Sequence, residues 1–300
     1  MNEQLVASFK IVLAMIIVGS SVVVGKLIVQ SFPVFLASEL RFLVAAVILV
    51  PLLLKLEGFP SVSMKDLCIL ILQAICGLFL FSIFMLYGLE LTTAIDAGII
   101  TSILPAVIGA LALLFLKEKL TKRVGIGIFL AVVGVMVING SGDFSIITHD
   151  SYSMVGNLLI LGAVICEALF IILGKFVSQR VSPLALSTFV SVLGAILFLP
   201  FSLYEGYHFK FDEVTFGEWG LILYSGIVVT VIAFIMMYQG VSKVPASKVG
   251  VLTGVLPISS IILSVVILGE VLSFYHIIGT ILVLVAIFIM AKRPERRAGY

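Results

Sequence analysis

Residues 94–120 read AIDAGIITSILPAVIGALALLFLKEKL, and residues 246–272 read ASKVGVLTGVLPISSIILSVVILGEVL. At a constant shift of 152 positions, Ala94, Gly98, Thr101, Leu104, Pro105, Leu116, Glu118 and Leu120 fall on Ala246, Gly250, Thr253, Leu256, Pro257, Leu268, Glu270 and Leu272. Each stretch is apolar enough and long enough to cross a bilayer, which takes about 20 residues. Two copies of one proline-containing span are the simplest reading.

The charges around the copies set their directions. The first ends among Lys117, Lys119, Lys122 and Arg123, whereas the second begins at Lys243 and Lys248 and ends in GEVLSFYH without a basic residue. Lysine and arginine collect on the cytoplasmic side of membrane spans. The copies should therefore run in opposite senses, as an inverted repeat common among secondary transporters.

Composition agrees with a membrane chain. Of 300 residues, 62% are hydrophobic and 11% charged, with a mean hydropathy of +1.31; soluble domains carry roughly 25% charged residues. The basic residues lie in short separate clusters and not along one face, which argues against nucleic-acid binding. Cys68, Cys76 and Cys166 sit inside apolar runs without CxxC spacing and read as packing residues. Lys10 precedes a long apolar run with no small-residue cleavage site after a short one, so the first span is expected to stay in the mature protein.

Ten spans can be read, near 10–30, 33–54, 67–88, 93–116, 122–139, 154–177, 183–204, 217–239, 245–268 and 274–291. The expected layout is a first five-helix repeat at 1–139, an external linker at 140–153, a second repeat at 154–291 and a basic tail at 292–300. The repeat extends beyond the opening stretch: Gly25, Lys26, Ala46 and Pro51 match Gly174, Lys175, Ala195 and Pro200 at a shift of 149. Lys10, Lys55, Lys65, the Lys117–Arg123 cluster, Lys175, Arg180, Lys243, Lys248 and the KRPERR tail all fall on one side, and Lys210 alone falls in the loops of the other. Both termini should be cytoplasmic in a multi-pass protein of the cell membrane. The aromatic group from Tyr204 to Tyr224 reads as an anchor at headgroup level.

With these features the chain resembles the ten-span EamA branch of the drug/metabolite transporter superfamily. The likeness rests on the duplicated span with Pro105 and Pro257, the closing motifs Lys117-Glu118-Lys119-Leu120 and Gly269-Glu270-Val271-Leu272, the Arg41-Phe42 pair in the second span, and the length. Lys117 departs from the glycine more usual at that place, which Gly269 keeps. The resemblance implies an all-α membrane fold of ten helices in two inverted repeats. It also implies export of small metabolites such as amino acids or drug-like solutes, with no cofactor.

Ionisable groups inside spans are costly, so they face the protein interior and are candidates for function. Glu167 lies about 20 Å into the sixth span at 1.5 Å per residue, near the middle of the bilayer. Desolvation there works against the ionised form unless a cation stands close. Reversible proton binding and a neutral carboxyl hydrogen-bonded between helices are both consistent with that position. Glu39 and Arg41 lie in the second span, two positions apart, and so cannot easily pair with each other. One partner for Arg41 is Glu167 across the bundle; the alternative is a structural tie.

Tyr87 and Tyr238 occupy equivalent ends of the third and eighth spans, as pathway residues or interfacial anchors. Lys26, near the outer end of the first span, reads as a snorkelling side chain. Pro105 and Pro257 are expected to kink their helices and act as hinges. Glu118 and Glu270 are expected to have structural roles at helix ends, capping the span that follows each.

These residues point to a secondary transporter working by alternating access. A passive channel is the alternative. An intramembrane enzyme is disfavoured: His149, His208 and His276 are scattered, no HExxH stretch occurs, no metal cluster is written in the sequence, and GxxxxGK[ST] is missing.

Overall fold

The computed structural model describes residues 3–58, 60, 62–116, 125–127, 129–130, 133–134, 137, 151–244, 249 and 252–291. Glu118 and the Lys117–Arg123 cluster, Ala246, Lys248, Gly250 and the basic tail lie outside the described residues.

Among the described residues the chain is helical, without strands. The helices are α1 (Glu3–Ile28), α2 (Val34–Leu56), α3 (Met64–Leu91), α4 in two pieces (Ala94–Thr101 and Leu104–Leu116), α5 (Ser151–Val177), α6 (Pro183–His208), α7 (Phe216–Val241), α8 (Val255–Leu268) and α9 (Phe274–Ala291). Seven of them, α1 to α7, are long and apolar enough to span a membrane, while α8 and α9 contain shorter apolar helices. Where the fifth span is expected, the described positions between 125 and 137 are helical. This is an all-α membrane protein built as two five-helix repeats. Phe9, Val47, Leu158, Phe216, Val266 and Phe288 are exposed on its outer surface, a coat that suits hydrocarbon and not water.

Local chemistry sets the helix starts. Ser63, Thr93 and Ser182 accept from the backbone N–H of Asp66, Asp96 and Ala185, the usual satisfaction of otherwise orphaned donors. Thr215 and Glu218 form a reciprocal capping box at the start of α7.

Contacts between matching elements give the relative direction of the repeats. At the start of α4, Ala94 N and Ile95 N donate to Glu270, just past the end of α8, at 3.0 and 2.7 Å. Four residues further along α4, Gly98 faces Ser260, earlier in α8: a Cβ on Gly98 would run into Ser260 Oγ. Advancing along one copy thus retreats along the other. Helices α2 and α6 behave alike, with Leu36 N donating to Glu205 at 2.7 Å at one end and Ser182 Oγ donating to Glu57 at the other. The two copies run antiparallel, as an inverted repeat requires.

Two interruptions recur in both halves. The fourth span is broken by a turn at Ser102 and Ile103, whose N–H groups donate to Ile99 O and Ile100 O. Pro105 then opens the second piece. Pro257 follows the equivalent turn at Thr253 and Gly254. Each proline therefore sits near a helix start, where a missing N–H is tolerated, and the expected kink is a full break. Thr101 Oγ1 donates to Gly98 O, a carbonyl that the broken ladder leaves short of a donor, and Ser102 Oγ adds a second hydrogen bond to Ile99 O.

The second interruption is a π-helical segment, Ile75–Leu80 in α3 and Ser225–Ile232 in α7. Gly77 and Gly226 lie within them at the 149-residue shift. A Cβ on Gly77 would meet Phe170 Cβ at 2.5 Å, and one on Gly226 would meet Val44 Cγ1 at 2.6 Å and Arg41 O at 3.0 Å. These glycines let neighbouring helices close on the widened turns.

Candidate functional site

A cavity of about 60 Å³ lies between the repeats, walled by α1, α2, α3, α5 and α7. Both π segments line it, through Gly77 and Leu78 on one side and Val229 on the other; such segments concentrate at functional sites. Phe81, Phe170, Phe234 and Met237 make most of its wall apolar. Its polar side chains are Arg41 from the first repeat, Glu167 from the second, and Ser21 on α1.

Arg41 reaches across to α3, where its NH2 donates to Ser82 Oγ at 2.7 Å. Its guanidinium carbon stands 4.4 Å from the Phe42 ring centroid, and Nε has no hydrogen-bond partner. Glu167 is buried at 8% exposure, and Oε2 is likewise unpartnered. The two residues share one cavity, as the sequence allowed, but no ion pair joins them among the described residues. Ser21 Oγ donates to Val18 O at 2.7 Å and keeps its lone pairs free for a ligand.

The other sequence candidates are placed as follows. Glu39 is buried in α2 with Oε2 unpartnered and does not line the cavity. Tyr238 is buried behind the cavity wall: its hydroxyl accepts from Gln73 Nε2 at 2.9 Å, and its ring centroid lies 5.8 Å from that of the lining residue Phe170. Tyr87 lies near the end of α3, with its ring against Phe35 at 6.2 Å. Pro105 and Pro257 mark the helix breaks.

Glu270 does cap a helix N-terminus, but of α4 and not of the following α9. Gly269, at φ 66°, turns the chain through the left-handed region and sends the carboxylate across the interface. Lys26 also departs from expectation. Its Nζ donates to Leu89 O and to Thr92 O, the latter at 2.6 Å.

Sequence reasoning missed Ser21, Ser82 and Gln73, because isolated small polar residues in apolar runs carry no periodic signal. Among the described residues no group of three or more His, Cys, Asp or Glu could hold a metal ion.

A membrane-embedded bundle of two inverted repeats, with Arg41 and Glu167 on the wall of one cavity, has the architecture of a multi-pass membrane transporter. The chain belongs to the EamA-like transporter family, which matches residues 5–140 and 154–292. It is 47% identical to the uncharacterized transporter YetK of Bacillus subtilis (strain 168), over all of this chain and 91% of the relative. It is 27% identical to YyaM, another uncharacterized transporter of that organism, over 91% of this chain and 89% of the relative. A solved crystal structure with 17% identity superposes with a TM-score of 0.69, covering 97% of this chain and 98% of the other, which establishes likeness of fold alone.

Proposed function

We propose that this transporter is a secondary active carrier of small organic metabolites, of the kind represented by amino acids and drug-like solutes. It works by alternating access around the central cavity, in the direction of efflux, with a proton carried by Glu167. The supporting observation is the pair of unpartnered atoms, Arg41 Nε and Glu167 Oε2, on residues that each repeat contributes to one apolar cavity. Buried polar groups are normally satisfied within the protein, so residues that leave such atoms unpaired beside a cavity are suited to a transient partner. Rocking of the repeats about the breaks at Pro105 and Pro257 would expose that cavity to either face in turn. The protein resides in the cell membrane with both termini in the cytoplasm. On this reading the end that carries Glu3, Lys10, Arg180 and Lys243 is the inner one.

The test is transport by purified protein in lipid vesicles. A proton-coupled carrier concentrates solute under an imposed pH gradient, whereas a passive channel only equilibrates it. If Glu167→Gln transports with an unchanged pH dependence, the carboxylate is not the proton carrier.

A further inference from the structure

We infer that the cavity takes a small organic anion, a carboxylate on an apolar body, and that each anion crosses together with one proton. This rests on the transport reading above and goes further in naming the charge of the solute and the sense of coupling. The guanidinium of Arg41 keeps its charge at any attainable pH, whereas a carboxyl group can be charged or neutral. The two cavity charges therefore play different parts: one is permanent and the other adjustable.

With Glu167 ionised, the empty cavity is electrically balanced. An entering anion would leave one uncompensated negative charge in an apolar enclosure, which is strongly disfavoured. A proton taken up by Glu167 at the same moment restores the balance, with the anion held at Arg41 and the neutral carboxyl opposite. In the cell anion and proton then leave together, down the outward gradient of the solute itself, and no net charge crosses the membrane. The other titratable groups around Glu167 are Cys166 beside it, Cys76 on α3 and Tyr238 on α7. None supplies a second cation.

Arg41 gives the cavity a permanent site for a carboxylate. Arg41 offers Nε without a partner, on a planar fork that matches a carboxylate. Among the described residues the polar side chains of the cavity are Arg41, Glu167 and Ser21, and Val18, Phe170, Ile171 and Phe234 are part of its apolar lining.

The experiment uses full-length purified protein and three probes of similar shape: 4-methyl-2-oxopentanoate, leucine and 3-methylbutylamine. Protection against thermal unfolding reports binding. The oxo acid should protect, more strongly as pH falls. Arg41→Met should weaken its binding about thirtyfold, and Arg41→Lys, which keeps the charge, should weaken it less. Glu167→Gln should abolish the pH dependence of binding. In vesicles, with protein-free vesicles as the control, an acid-outside gradient should drive accumulation of labelled oxo acid at a rate indifferent to membrane potential.

Protection by leucine or the amine alone, by none of the three, or by the acid equally in Arg41→Met, overturns the anion assignment. Accumulation that follows membrane potential overturns the one-to-one proton. Binding of the acid as described without accumulation leaves the site standing and removes the transport reading. Arg41-independent accumulation of leucine does the reverse.

Discussion

Lys26 and Lys175, 149 positions apart, perform the same task at opposite ends of the bundle. Lys26 donates to the carbonyls of Leu89 and Thr92, where α3 ends; Lys175 donates to those of Val241 and Val244, where α7 ends, at 3.2 and 2.7 Å. Each ammonium sits at the negative end of a helix dipole and binds carbonyls the helix leaves without donors. The clasp ties the first helix of each repeat to the third, making them one unit within each half.

Removing one clasp should destabilise the protein measurably. Hydrogen bonds to a charged group contribute about 1.5–3 kcal/mol, so Lys26→Met and Lys175→Met should each lower stability by about that much. Thermal unfolding in detergent is the check. Unchanged stability in both variants would mean that neither clasp holds its half together and would return Lys26 to the status of a snorkelling side chain.

Glu270 joins the two halves through the N-terminus of α4. Its carboxylate meets two N–H groups where a helix favours negative charge. Glu270→Ala should therefore cost about 0.5–2 kcal/mol. Glu270→Gln, which keeps one acceptor oxygen but no charge, should recover part of that. Equal losses in the two variants would show that the charge of the carboxylate, and neither its shape nor one acceptor oxygen, is what matters at this position.

How much of this was legible in the sequence follows from what kind of signal each feature carries. The doubled span and its inversion were readable because a fixed residue shift and the side of the basic clusters are one-dimensional patterns. Arg41 and Glu167 were readable because a charge within an apolar run has to face inward. The partner of Glu270 was not, since the left-handed turn at Gly269 carries the side chain to a helix some 175 positions away in sequence. Lys26 was misread for the same reason: its carbonyl partners belong to another helix. The π segments were hidden because glycine in a membrane helix is ordinary. Only the closeness of Phe170 and Val44 shows why Gly77 and Gly226 are required.

Pro105 and Pro257 stand at the start of a helical piece, where the backbone is already broken. Pro105→Ala and Pro257→Ala should accordingly change stability little, within about 1 kcal/mol. Their effect should fall on motion: alanine permits the helix to close across the break, and turnover in vesicles should slow severalfold while binding persists. A full transport rate in both variants would remove the hinge role.

Gly77 and Gly226 give the sharpest packing test, because the atoms that block a side chain differ. At Gly77 the obstruction is the Phe170 side chain, starting at its Cβ, while at Gly226 it is the Val44 side chain together with the Arg41 carbonyl oxygen. The Cβ of Phe170, like the Arg41 carbonyl, moves only with its helix. Overpacking typically costs about 1–3 kcal/mol, and both Gly77→Ala and Gly226→Ala should fall in that range by thermal unfolding. Gly226→Ala should in addition displace the segment of α2 that aims Arg41 into the cavity, and so weaken solute binding beyond its effect on stability. Adding Val44→Gly, which removes both the Cγ1 and the Cβ that stand 2.6 and 2.7 Å from the new methyl, should restore part of the stability of Gly226→Ala and leave the binding defect, since the Arg41 carbonyl still obstructs. Complete recovery of both by the double variant would mean that Val44 alone sets the contact.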